Sequence, residues 1–266
     1  PNVEFQALLT EIAALKPDYI SVTYGAVGST SKNTVAVAEA VQTMGIPALA
    51  HLTCVSSTRE ELGNSLDELK RRGIDNVLAL RGDIPADFTG FVPEQYRYAN
   101  ELVAYIRERG DFCIGAACYP EGHVECARRS DDLEYLKRKV DAGCDFLTTQ
   151  MFFDNNVLYS FLYRMMKKGI DIPVTAGVMP ITNARHIKRM CALAGTTLPT
   201  RFVNMVDVFG DDPASMEQAG IAYATEQIFD LIANGIRCIH VYTMNKPQVA
   251  EALWRNLSSL FTAERT

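Results

Sequence analysis

One unit recurs along this chain and restricts its fold more than any other feature: an amphipathic helix that stops at a glycine, a short apolar strand, then a polar loop. The joints are Gly45-Ile46, Gly73-Ile74, Gly110-Asp111, Gly143-Cys144, Gly169-Ile170 and Gly235-Ile236, with Lys16-Pro17 in the same place in the first unit. Glycine takes the left-handed backbone of a helix C-terminus without a Cβ penalty, so each joint reads as a helix stop followed by a strand start. Between joints the apolar residues keep helical spacing: Phe5, Leu8, Ile12 and Leu15, then Leu62, Leu66 and Leu69, then Leu133, Leu136 and Val140. Thr58 and Glu61 have the spacing of a capping box at the start of the third helix. Runs rich in Val, Ile, Leu and Phe predict seven strands, at about 18–23, 47–52, 76–80, 112–117, 146–150, 172–177 and 237–242.

Strand and helix alternate at roughly 25 to 36 residues per unit, apart from one longer interval before the last strand, the pattern of a (β/α)8 TIM barrel. The competitor is a doubly wound open sheet, but no G-x-G-x-x-G follows any predicted strand. Seven strands leave one to find, and the expectation is that it lies before Pro1, which falls almost at a helix start. Extra helical sequence around Leu198 to Ala214 reads as an insertion before the last strand. With no linker composition in sight, residues 1–266 are expected to form a single catalytic barrel domain.

The 266 residues are 48% hydrophobic and 22% charged, which excludes a disordered or collagen-like chain. Asp and Glu outnumber Lys and Arg by 32 to 26, a net charge of -6 with the cations scattered, so nucleic acid is not an expected partner. No apolar run approaches the roughly 18 residues of a membrane span, and the start lacks the features of a signal peptide. The expectation is a cytoplasmic protein without a membrane partner. The seven cysteines form no C-x-x-C pair and the four histidines no H-x-x-x-H pair, so neither disulfides nor a metal site are expected.

In a barrel of this kind the active site lies at the C-terminal ends of the strands. The segments there are Thr23-Tyr24-Gly25, His51-Leu52-Thr53-Cys54, Arg81-Gly82-Asp83, Tyr119-Pro120-Glu121-Gly122-His123, Thr149-Gln150-Met151-Phe152, Pro180-Ile181-Thr182 and Tyr242-Thr243-Met244-Asn245-Lys246. Ringing one cavity, they would suit a large, flat, heteroaromatic ligand. Arg81-Gly82-Asp83 offers a cation, a close backbone approach and a carboxylate, or else a surface ion pair at a turn. Asp132 and Lys139 lie two turns apart on one helix face, which by pattern alone favours a solvated salt-bridge face. His51 and His123 follow strands and serve equally as packed residues or ligand contacts. Glu121 is a candidate acid.

The stretches SVTYGA (21–26), AHLTC (50–54), GIDNVLALRGDIP (73–85), CYPEGH (118–123), LKRKVDAGCDFLTTQMFFD (136–154) and HVYTMNK (240–246) resemble the bacterial type of the methylenetetrahydrofolate reductase family in order and spacing, from about residue 5 to 260. The resemblance implies an FAD-dependent oxidoreductase of one-carbon metabolism and methionine biosynthesis. In that family NADH or NADPH reduces the flavin, which in a ping-pong cycle converts 5,10-methylenetetrahydrofolate to 5-methyltetrahydrofolate. Carried over by motif, the FAD contacts are Thr23, His51, Arg81, Gly82, Asp83, Tyr98, Ala99, Ala117, Tyr119, His123, Asp132 and Lys139, with Asp83 also the catalytic residue beside flavin and pterin. Gln150 resembles the amide that pairs with the pterin, and Tyr242 and Lys246 match positions near the folate tail. Lys246 stands where the family often has arginine, and Met190 where it has an aromatic stacker. The family's general-acid glutamate, on the first barrel strand in a motif like FEFFPP, has no match here; Glu4 falls in the first helix, so the acid is expected on the strand before Pro1. The resemblance also implies a homo-oligomer. The other readings are another FAD-dependent barrel oxidoreductase, such as a proline dehydrogenase, and a catalytically impaired folate- or flavin-binding partner subunit.

Overall fold

The computed structural model describes residues 3–23, 31–55, 57–84 and 90–263. The expected alternation is present: α1 (Val3–Ala14), β1 (Ile20–Val22), α2 (Ser31–Thr43), β2 (Ala48–Thr53), α3 (Arg59–Arg71), β3 (Asn76–Leu80), α4 (Ala99–Glu108), β4 (Cys113–Cys118), α5 (Arg129–Asp141), β5 (Phe146–Thr149), α6 (Asn155–Lys167) and β6 (Val174–Val178). A short 3-10 turn (Ala184–His186), α7 (Ile187–Ala194), α8 (Thr200–Phe209) and α9 (Pro213–Ala233) then precede β7 (Ile239–Val241) and α10 (Pro247–Ala263). The predicted insertion is therefore real and centred on α8.

The glycine joints behave as their chemistry requires. Gly45, Gly73, Gly110, Gly143, Gly169 and Gly235 all have positive φ, from 68° to 141°, and Lys16 takes the same role in the first unit at φ 52°. At the other end of α3, the Thr58 hydroxyl accepts from the Glu61 N–H at 3.2 Å while the Glu61 carboxylate accepts from the Thr58 N–H at 2.7 Å. The predicted stripe Leu62, Leu66 and Leu69 is fully buried. In α1 the deepest residue is Leu9, one position along from the predicted Leu8, and Leu15 lies beyond the helix.

The strands follow one another in the sheet in chain order, β1 to β7, the order of a (β/α) barrel rather than of a doubly wound sheet. The chain divides into two compact units, Pro1–Ala117 with Tyr135–Leu147, and Cys118–Glu134 with Thr148–Thr266. In the first unit β1, β2, β3 and β4 pair in parallel, with Val22 beside Ala50, Thr53 beside Leu80 and Ala79 beside Ala116. The Asp145 N–H continues the ladder by donating to the Ile114 carbonyl at 2.8 Å. In the second unit the Gln150 N–H donates to the Cys118 carbonyl at 2.8 Å, and β6 pairs with β7 in parallel, Val178 beside Val241. The central strands read as near-continuous apolar runs because helices cover them: Ala48, Leu49, Ala50 and Leu52 of β2 and Val77, Leu78 and Ala79 of β3 are all buried. A second core in the second unit gathers Met151, Phe153, Ile181, Ile187, Cys191, Phe202 and Met216 beneath α7, α8 and α9. All seven cysteines are thiols. Among the described residues no helix is long and apolar enough to cross a membrane, and no group of three or more His, Cys, Asp or Glu is placed to hold a metal ion.

Candidate functional site

In the first unit the polar residues stand at the C-terminal ends of parallel strands. Thr23 follows β1 and is exposed; Tyr24, Gly25 and Ala26, like Pro85, lie outside the described residues. His51, in β2, is hydrogen-bonded through Nε2 to the Ser21 hydroxyl of β1. The β2–β3 ladder runs on past both strands, since Cys54 N–H donates to Leu80 O at 3.1 Å and Val55 N–H to Arg81 O at 2.9 Å. That continuation holds Arg81 and Gly82 against the end of β2. Gly82 has φ 86°, and a Cβ there would fall 2.9 Å from Val55 Cγ1 and 3.0 Å from Thr53 Cβ, so both backbone and packing demand glycine. The Arg81 Nε–H donates to the Gly82 carbonyl at 3.4 Å, and Asp83 is exposed just beyond.

Lys139 belongs to the same strand-end region. Its Nζ donates to the Ala117 carbonyl of β4 at 2.7 Å, so it reaches inward from α5 to the sheet, which corrects the solvated-face reading favoured by its spacing. The solvated pair on this helix is instead Lys137 with Asp141 at 2.9 Å. Because Ala79 pairs with Ala116, Arg81 and the carbonyl that holds Lys139 stand at neighbouring strand ends. Tyr98 and Ala99 open α4 instead of following a strand; Tyr98 is 60% exposed and its N–H donates to Glu101 at 3.0 Å. Cys54 offers no nucleophile beside this region, because burial pushes its thiol up to about 11.

The second unit holds the remaining candidates. Tyr119 and His123 meet edge to face, ring centroids 4.7 Å apart, around a turn in which Gly122 N–H donates to Tyr119 O. The Asp132 carboxylate accepts from the His123 N–H at 3.4 Å. Glu121, the candidate acid, accepts at 3.1 Å from the Thr197 N–H and at 2.5 Å from its hydroxyl. Gln150, half-buried after β5, accepts from the Met151 N–H at 3.0 Å through Oε1. Tyr242 donates its hydroxyl to Thr149 O at 2.7 Å, and Lys246 Nζ donates to the Thr182 hydroxyl at 2.6 Å. Met190 packs against the apolar cluster of α7, α8 and α9. Glu4 is exposed in the first turn of α1, as its spacing implied.

Thr196, Thr197 and Arg164 were not singled out by the sequence, and Thr149 entered only as part of the strand-end segment 149–152. Thr149 is fully buried, its hydroxyl accepting from Gly177 N–H at 2.8 Å while its carbonyl receives Tyr242. These bonds join positions far apart in the chain, so no local pattern marks them. His240, two residues before Tyr242, stacks edge to face on it at 4.7 Å, and burial lowers its imidazole pKa to about 4. Its folded value lies below the roughly 6.5 of an unfolded histidine, so its contribution is full above pH 6.5 and is lost as pH falls toward 4. Denaturant titrations at pH 7 and pH 4.5 are expected to show His240→Gln losing about 1–3 kcal/mol less than the unsubstituted protein over that interval; equal losses would remove this group from the acid response.

Parallel strands in chain order, each followed by a helix, define a barrel-class α/β protein. Residues 3–258 match the methylenetetrahydrofolate reductase family. The chain is 33% identical over 250 residues to 5,10-methylenetetrahydrofolate reductase of Escherichia coli (strain K12), covering 94% of this chain and 83% of that protein. It is 32% identical to the Pectobacterium carotovorum enzyme of the same name with the same coverage, and 35% identical to methylenetetrahydrofolate reductase (NADH) 1 of Zea mays. The match to the maize protein takes in 94% of this chain but only 44% of that protein's length. In fold the chain is similar to a Clostridium thermocellum protein described as binding two copies of 5-methyl-5,6,7,8-tetrahydrofolic acid (TM-score 0.60, 16% identity, 96% of this chain and 88% of that one). It is also similar to 2,3-dimethylmalate lyase, of the PEP mutase/isocitrate lyase superfamily (TM-score 0.52, 12% identity, 97% and 79%). The chain belongs to the methylenetetrahydrofolate reductase family, a family of oxidoreductases.

Proposed function

We propose that this protein reduces 5,10-methylenetetrahydrofolate to 5-methyltetrahydrofolate with NADH or NADPH, using FAD in a ping-pong cycle, and that residues 1–266 act as one catalytic domain. The observation that carries the reading is the pair of cations, Arg81 and Lys139, held at neighbouring strand ends with Asp83 two residues beyond Arg81. Two cations beside a run of backbone that only glycine can form are the donor set an anionic diphosphate calls for, so the residues fit FAD. Thr23, His51, Ala117, Tyr98 and Ala99 in the first unit, and Tyr119, His123 and Asp132 in the second, complete the proposed contacts.

When bound, FAD supplies a two-electron carrier that takes hydride from one substrate and gives it to the next. The chain supplies the rest. Arg81 and Lys139 offset phosphate charge, each tethered to a backbone carbonyl that limits its freedom. Asp83 presents a carboxylate able to accept hydrogen bonds from the pterin amino groups. Gln150 offers an amide donor and acceptor to the pterin edge, and Lys246, tethered to Thr182, opposes the folate carboxylates as a point charge. Tyr242, fixed by Thr149, lends an aromatic wall nearby. A cytoplasmic location and a homo-oligomer belong to the same reading.

The test is a visible spectrum of the purified protein, followed anaerobically through NADH and then methylenetetrahydrofolate. Absorption near 450 nm, roughly where oxidised flavin absorbs, should bleach with the first and return with the second. A protein that takes up no FAD would overturn the proposal in favour of a partner subunit, and bleaching without recovery would point to a flavoprotein acting on another substrate. Gln150→Glu is expected to slow the folate half-reaction by about 10²-fold while flavin reduction by NADH changes by less than about threefold, because it exchanges an amide donor for a carboxylate. Equal loss in both halves would take Gln150 out of the folate site.

A further inference from the structure

The loop after β4 carries two of the proposed flavin contacts, Tyr119 and His123, yet it is fastened at three points to segments distant in the chain. The Glu121 carboxylate receives both the N–H and the hydroxyl of Thr197. Arg164 of α6 donates through Nη2 to the Pro120 carbonyl at 3.0 Å. Val124 seats over Gly195, where a Cβ would come within 2.7 Å of Val124 Cγ1, and Gly195 holds φ 68°, so a side chain there would be strained and would displace Val124. The same three-residue turn, Gly195-Thr196-Thr197, also reaches the end of β5. The buried Thr196 donates its hydroxyl to the Met151 carbonyl at 3.0 Å, one residue past Gln150. Immediately before the turn lies α7, which carries Met190.

We propose that Glu121 is a positioning residue: its carboxylate latches the loop bearing Tyr119 and His123 onto Thr197, in the turn that also steadies the strand end bearing Gln150. The inference rests on the flavin and folate contacts proposed above. A carboxylate suits this task because it accepts several hydrogen bonds at once, and charge-assisted bonds of this kind are the stronger ones. Glu121 is therefore engaged by Thr197 and acts through the loop, not as the general acid that its place after a strand suggested. The latch closes a long excursion of chain with one side chain, so its loss frees the loop locally without opening the apolar cluster beneath.

Hydrogen exchange of residues 119–126 in the flavin-free protein reads the latch directly. Glu121→Ala and Thr197→Val should each accelerate exchange there about tenfold, and the double variant no more than either alone. Thr197→Ser, which keeps both donors, should exchange like the unsubstituted protein. The FAD dissociation constant should rise about tenfold in Glu121→Ala and Thr197→Val and return to normal in Thr197→Ser. Unchanged loop exchange, or additive effects of the two substitutions, would overturn the latch; faster exchange with unaltered FAD affinity would overturn its positioning role. Failure of the unsubstituted protein to bind FAD would instead strike the functional reading and leave the exchange result to stand by itself.

Discussion

Asp83→Asn is expected to leave FAD bound within about threefold of its normal affinity while slowing the folate half-reaction by about 10²-fold, the scale of loss when one preorganised polar partner of a reacting group is removed. The substitution preserves shape and exchanges one carboxylate oxygen for an amide that donates, so a pterin donor meets a donor in return. Asp83 is exposed and stands beyond the Gly82 turn, which is held by its own φ of 86° and by Thr53 and Val55, so among the described residues the turn does not depend on the carboxylate. With Asp83 beside the flavin as proposed, removing its negative charge should also raise the flavin midpoint potential, by tens of millivolts for a charge contribution of about 1–4 kcal/mol. Stopped-flow of the two half-reactions and a potentiometric titration check the two effects separately. Unchanged folate rate and potential would remove Asp83 from the catalytic role, whereas loss of FAD would make it a binding residue.

The largest expected effect on stability falls at a glycine with an ordinary helical conformation. Gly220 lies buried in α9, where an added Cβ would sit 1.8 Å from the Ile181 carbonyl oxygen and 2.6 Å from its carbon, both backbone atoms following β6. Neither can swing away as a side chain would. The same helix face is tied down beyond this point by Tyr223, which donates to the Phe153 carbonyl at 2.6 Å, and by the buried Gln227, which donates to the Phe152 carbonyl at 2.8 Å. Making room for a methyl group therefore stretches both bonds and disturbs Met216, Ile181 and Phe153 in the second core. Alanine gains up to about 1 kcal/mol of helix propensity over glycine, and the overpacking outweighs it. Gly220→Ala should lose about 2–4 kcal/mol net and lower the melting temperature by about 5–15 °C, followed by circular dichroism. A midpoint within about 2 °C of the unsubstituted protein would show that α9 shifts without cost.

These two sites mark the limit of what the chain discloses when read linearly. Gly82 was legible because it follows an apolar strand between an arginine and an aspartate, and the six glycines at helix ends were legible because each interrupts a helical period just before a strand. Gly220 was not: inside a helical run it looks like a weak helix former, and only the crossing of α9 over Ile181 explains it. The spacing of Lys139 misleads for the same kind of reason. Its seven-residue spacing from Asp132 describes a helix face, but spacing is silent about whether that face meets water or, as here, the carbonyl at the end of β4.

The number, order and parallel direction of the strands, the helix caps and the identity of the strand-end residues were determined by the sequence itself, because they depend on periodicity and on backbone preferences that act over a few residues. Tertiary structure alone decided which strand-end groups are held and by what. Tyr242 rests on Thr149 across 93 residues, Glu121 on Thr197 across 76 and Lys246 on Thr182 across 64. Each such bond joins two groups with no preference for one another until the packing of distant elements brings donor and acceptor within reach and shields them from competing water.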